Sequence, residues 1–252
     1  MSSDAAIEIY ERTLTPYRQA SINSDLAKRI LDESLSSDVI HLFWIYYNIL
    51  GVYMTEPVED WINRAGDATI AMGLEEAGRE LKKHARHEAG HQTMMQKDYE
   101  KLIDLWNKKH EQKITLNQFS VSPLPEIVKE YIDLHEDNIN SPAPYCQIAI
   151  QYEIESLAPV LGPKQIEYTR NKCGDEVLKC LSFICDHVEI DVAHTEYNYG
   201  VLKTFLLKNP EGLEPLMETG KQASIIYLKF FDYCMQQAKL LYGALQKEPE
   251  LA

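Results

Sequence analysis

No two of the five cysteines stand in a C-x2-C pair, so a zinc-ribbon arrangement is excluded. Their odd number, at Cys146, Cys173, Cys180, Cys185 and Cys234, fits buried free thiols in a reducing cytoplasm better than a disulfide framework. Positive charge is also short. With 25 Lys and Arg against 39 Asp and Glu, the net charge is −14. Such a surface repels other polyanions, which argues against nucleic acid and anionic membrane as partners. No run of apolar residues is long enough to span a bilayer. The longest, residues 40–54, is interrupted by His41 and Asn48 and predicts a buried core helix. The first residues carry no basic start followed by an apolar stretch, so no signal peptide is expected and the chain reads as cytoplasmic. Glycine and proline number only 11 each, and most fall between periodic segments.

What remains is helical periodicity almost throughout, without strand alternation. Short N-terminal helices are expected over residues 5–14 and 24–34, and Ser36, Ser37 and Asp38 can cap the apolar helix that follows. A new helix can begin near Pro57, and a long one capped by Asp67 is expected to reach through Glu88 and His91 towards Trp106. Polar loops occupy residues 112–125 and 138–144, with a short helix between them. Further helices are expected over 147–160, interrupted at Gly162–Pro163, then over 164–172, from Asp175 to about Lys208, and over 214–246. The expectation is an all-α protein forming one domain over residues 1–252.

Three helices carry chemistry. His187-x3-Asp191-x2-His194 is the sharpest pattern. Asp191 lies about 40° from His187 around a helix and His194 about 20° the other way, so all three leave one narrow face. Two imidazoles and a carboxylate converging in this way suit iron, manganese or zinc. The run His84-x2-His87-Glu88-x2-His91 crowds three of the eight histidines into eight residues. Glu88-x2-His91 sets a carboxylate and an imidazole one turn apart, as in helical-bundle di-metal sites. Glu80 shares the face of His84 and His87. In AIQYEIESLAP, Glu153 and Glu155 point about 200° apart, so only one of them is expected to face the core.

These runs together resemble the heme-oxygenase-like di-metal oxidases, non-heme proteins on the seven-helix fold shared with thiaminase II and pyrroloquinoline-quinone synthase C. The resemblance is carried by HEAGH at 87–91, ESLAP at 155–159 and HVEIDVAH at 187–194. Segment YEIESLAP is also similar to the ligand-glutamate helix of the chlamydial protein that associates with death domains, which favours Glu155 over Glu153. The resemblance implies a bundle of about seven core helices with extra short N-terminal ones. It implies a metal set of Glu88, His91, Glu155, His187, Asp191 and His194. Family members place a ligand glutamate seven residues before the ligand histidine of the first helix. Here that spacing gives His84 before His91, or Glu80 before His87. His84, His87, Glu80 and, at a helix end, Glu56 are therefore held in reserve as further ligands or supporting groups. Tyr47, Tyr152 and Lys164 are candidate pocket residues.

The implied activity is that of a di-iron oxygenase or oxidase, with two irons or a manganese–iron pair, and dioxygen as co-substrate. It would act on a fatty acid, amino acid or aromatic in a mainly apolar cavity lined from 40–54 and 148–161. A homodimer and an external electron donor are expected. The alternatives are a thiaminase II-like non-oxidative enzyme, or a metal-poor interaction or regulatory protein on the same fold.

Overall fold

The computed structural model describes residues 5–119 and 121–247. Among these there are twelve α-helices and no strand. The N-terminal pair is α1 (Ala5–Asn23) and α2 (Asp25–Ile30), followed by the apolar α3 (Ser37–Thr55). Next come α4 (Val58–Ala71), α5 (Glu75–Glu88), α6 (Gln92–Lys109) and α7 (Glu126–Ile139). Then α8 (Gln147–Glu155), α9 (Ala158–Cys173) and the single-turn α10 (Asp175–Leu178) lead to two long helices, α11 (Ser182–Lys208) and α12 (Leu213–Leu245).

Helix α3 starts where expected, with the Ser36 side chain accepting a hydrogen bond from the Val39 backbone N–H at 3.3 Å. Its sequence is apolar on every face because it lies inside the bundle, against α6, α9 and α12. Even His41 and Asn48 are buried there: His41 Nε2 donates to the Leu102 carbonyl at 2.8 Å and Asn48 to the Trp44 carbonyl. No helix among the described residues is long and apolar enough to cross a membrane. The main core runs from Ala6 to Leu245, with two smaller clusters at Leu134, Ile150 and Ala223 and at Leu157, Leu161 and Leu228.

Three expected boundaries move. The long helix through residues 67–106 is broken twice, at 72–74 and at 89–91. The second break turns on Gly90, whose φ of +86° only glycine adopts without strain. The interruption expected at Gly162–Pro163 lies instead at Ser156–Leu157, and Pro163 sits inside α9. Pro159 accounts for this. A proline has no N–H to give residue i−4 and its ring crowds that carbonyl, so α8 ends at Glu155. Finally, α1 extends to Asn23 and packs along α12 and α11 rather than stopping at residue 14.

Candidate metal centre

Helix α5, the turn after it, α8 and α11 bring seven side chains to one buried place: His84, Glu88, His91, Glu155, His187, Asp191 and His194. Glu88 is the hub. Its Oε2 lies 3.1 Å from His91 Nδ1. Its Oε1 lies 3.7 Å from both His84 Nε2 and His194 Nδ1. On the Oε2 side, His91 Nδ1 is 3.2 Å from His187 Nε2. On the Oε1 side, His84 Nε2 is 2.9 Å from Glu155 Oε1, and one donor atom each from His84, Glu88 and Glu155 falls within a 4.8 Å sphere of mutual separation. Asp191 Oδ1 sits 3.6 Å from His194 Nδ1 and beside His187.

Local structure fixes these positions. The Phe183 backbone N–H donates to Asp98 Oδ2 at 2.8 Å and Ser182 Oγ to Oδ1 at 2.7 Å, which pins the first turn of α11 to α6. One turn on, His187 Nδ1 donates to the Phe183 carbonyl at 2.8 Å, which turns Nε2 towards His91 in the cluster. Asn198 donates to Glu155 Oε2 at 2.5 Å and leaves Oε1 inward. Such outer contacts orient ligand side chains in metal sites.

Several inward atoms lack hydrogen-bond partners: both ring nitrogens of His84, Glu155 Oε1, Asp191 Oδ1 and His194 Nδ1. Leaving a buried polar atom unpaired costs about 1–3 kcal/mol. His84 Nε2 and Glu155 Oε1 lie 2.9 Å apart without hydrogen-bond geometry. A cation between them satisfies both. Three carboxylates and four imidazoles form a donor set for first-row divalent metals.

The electrostatics fit the same arrangement. Burial raises the Glu88 carboxyl, but His91, His84 and His187 outweigh it and hold it at about 2. Burial raises the Glu155 carboxyl against the pull of His84. Burial lowers His84, yet the Glu155 and Glu88 carboxylates carry it above its ordinary value. His187 is lowered by burial, and His194 is raised chiefly by its Asp191 neighbour. Several carboxylates in one dry volume resist joint ionisation unless positive charge accompanies them.

The reserve residues separate. His84 stands inside the cluster. His87 is exposed, its ring stacked 5.7 Å from that of His194. Glu80 turns away and accepts the Tyr197 hydroxyl at 2.5 Å. Glu56 is exposed at the end of α3. Two pocket expectations need correction. Lys164 is exposed on α9, because Leu161 and Gln165 take that helix's inward face. Tyr152 is buried, but its hydroxyl donates to Glu11 of α1 at 2.9 Å rather than lining the site. Both Glu153 and Glu155 are buried, because α1 covers the far side of α8: Glu153 accepts from Tyr10 and Arg18.

A cavity of about 80 Å³ adjoins Glu88, Glu155, His187 and Asp191. As expected, 40–54 and 148–161 contribute, through Tyr47, Gly51, Met54, Gln151 and Ile154. Met95, Tyr131, Tyr227 and Phe230 are among the other lining residues. No spacing in the sequence pointed to these four, since aromatic and Met positions on apolar faces look alike whether they pack or line a void. A wider surface groove of about 710 Å³ runs between α5 and α11 and includes none of the seven clustered residues.

No family model matches the chain, and no curated protein matches it. Solved structures do. A domain of unknown function with a heme oxygenase-like fold from Shewanella denitrificans superposes with a TM-score of 0.66 at 14% identity, covering 96% of this chain and 95% of that one. A TenA homolog from Pseudomonas syringae gives a TM-score of 0.64 at 15% identity, with 94% and 96% covered. At these identities the likeness shows the fold alone: the chain has the all-α, heme oxygenase-like fold.

Proposed function

We propose that the seven-residue cluster holds two iron ions and that the chain is a dioxygen-dependent oxidase or oxygenase acting on a small organic molecule. The observation that carries this is Glu88. Its Oε2 lies beside His91, which meets His187, and its Oε1 faces His84 and His194, while inward atoms of His84, Glu155, Asp191 and His194 lack hydrogen-bond partners. Iron bound there would supply the binding and reduction of dioxygen. Manganese in one position suits the same donors.

The chain's own part is positional. Glu88 bridges. Asn198 and the Phe183 carbonyl hold Glu155 and His187 in orientation. The aromatic cavity excludes bulk water and sets the substrate beside Glu155, His187 and Asp191. Electrons beyond those the substrate yields come from an external donor.

Likeness to a TenA homolog raises the thiaminase II-like alternative, a chemistry that uses a cysteine nucleophile. None of the five cysteines lines the cavity. Burial pushes the thiols of Cys146 and Cys173 up to about 12, and raises those of Cys180, Cys185 and Cys234, so none is primed as a thiolate. The oxidase is therefore favoured.

The test is oxygen uptake. Protein loaded with ferrous iron without air, then mixed with aerated buffer, is expected to consume dioxygen faster than free iron does, and His187→Ala with His194→Ala to abolish the excess. Uptake equal to that of free iron would sink the proposal.

A further inference from the structure

The cavity beside the cluster carries polar groups that the fold itself leaves unused. Tyr131 and Gln151 are each 6% exposed and both line it. Among the described residues neither side chain makes a hydrogen bond. Tyr131 is held only by its ring, edge-on to His135 at 4.7 Å and to Trp61 at 6.1 Å. Their polar atoms face the cavity without a partner in the chain, so a ligand there can hydrogen-bond to both. Tyr47 and Tyr227 add a third polar point, their hydroxyls 3.2 Å apart. One donates to the other, and the acceptor's own proton remains free.

Charge narrows the ligand. No Lys or Arg lines the cavity, whereas Glu88, Glu155 and Asp191 do. In the metal-free protein a carboxylate would meet these acidic residues with no cation of the chain to offset it. Burial raises the Tyr131 and Tyr47 hydroxyls and takes that of Tyr227 to about 12, so the phenols stay neutral donors.

Size and shape narrow it further. A cavity of about 150 Å³ holds one benzene ring, and this one measures about 80 Å³. The difference can come from Met95. Its Cε and Sδ lie 2.5 and 2.7 Å from where a side-chain carbon on Gly51 would stand, so the thioether fills the gap left by that glycine. An unbranched methionine repacks readily, and its movement would enlarge the cavity. The walls that would receive the ring are themselves aromatic: Phe183, Phe230 and Tyr47.

Building on the proposed oxidase, we infer that its substrate is an uncharged single-ring aromatic bearing a hydroxyl or amino group, which Tyr131 and Gln151 hold by hydrogen bonds. Without metal, carboxylates are disfavoured there. A hydroxyl or amino group both donates and accepts, as do Gln151 and the Tyr131 hydroxyl.

The test is binding, read without turnover. With para-fluorophenol as the probe and metal-free protein, fluorine NMR is expected to show saturable binding. Phenol and aniline should displace the probe, while benzoate and dodecanoate should not. Tyr131→Phe and Gln151→Leu should each weaken binding about tenfold, the loss of roughly one net hydrogen bond, with unchanged helicity by circular dichroism. Equal displacement by benzoate or dodecanoate, or variants that bind like the parent, would overturn the inference. Ferrous titration of the same preparation separates the two claims. Iron binding without phenol binding removes only the substrate class, and phenol binding without iron removes only the metal centre.

Discussion

Glu88 does the most at the residue scale, because one side chain faces both halves of the cluster. Replacing it with alanine is expected to cost both metal positions, whereas His84→Ala should cost only the half containing Glu155 and His194. Metal analysis after dialysis checks this, and equal losses in the two variants would contradict it. Gly90 matters differently. At φ +86° a side chain is strained by the backbone alone, since an added carbon would touch nothing within 4 Å. Gly90→Ala should therefore lower stability by about 1–2 kcal/mol in urea unfolding and loosen His91, which follows in the same turn. The triplet His187, Asp191 and His194 was legible because α11 is regular and helical spacing decides which side chains share a face. The choice among Glu80, His84, His87, Glu88 and His91 was not. Four of these five side chains crowd one sector of α5 and α11 meets Glu80, His84 and His87 alike, so only the approach of Glu155 on α8 singles out His84.

At the scale of elements, α8 shows where an amphipathic rule fails. A helix with one buried face admits one of Glu153 and Glu155, but α8 is enclosed on both sides and buries the two. Arg18 of α1 makes this tolerable, donating from Nε to Glu153 Oε2 at 2.8 Å. Removing one partner of a buried ion pair leaves an uncompensated charge, so Arg18→Ala should destabilise the fold by about 3–5 kcal/mol. Urea unfolding reads the loss, and a change under 1 kcal/mol would contradict the role given to α1. That α1 covers α8 could not be read from sequence, because the pairing joins residues 135 apart. The end of α8 at Glu155 was available in principle from Pro159, but Gly162–Pro163 is the stronger punctuation and drew the expected boundary downstream.

For the molecule as a whole, the all-α architecture was legible from periodicity and sparse turn residues, and its buried histidines give it a pH signature. Burial lowers His135 to about 3 and His41 to about 4. Below their unfolded value near 6.5 the unfolded chain binds protons that the folded one refuses. Their contribution is full above that value and is lost as pH falls towards 4, by about 1.4 kcal/mol per pH unit for each. His135→Gln should flatten the fall between pH 6 and 4 by about one such increment, measured by urea unfolding at stepped pH. An unchanged slope would contradict a neutral His135 stacked 4.3 Å from Trp61. The central claim concerns the cluster where α5, α8 and α11 meet, and it is tested most directly by counting metal. Anaerobic equilibrium dialysis against ferrous iron should give two irons per chain in the parent, one in His84→Ala, and none in a variant carrying both His187→Ala and His194→Ala. Two irons retained in that last variant would contradict the account.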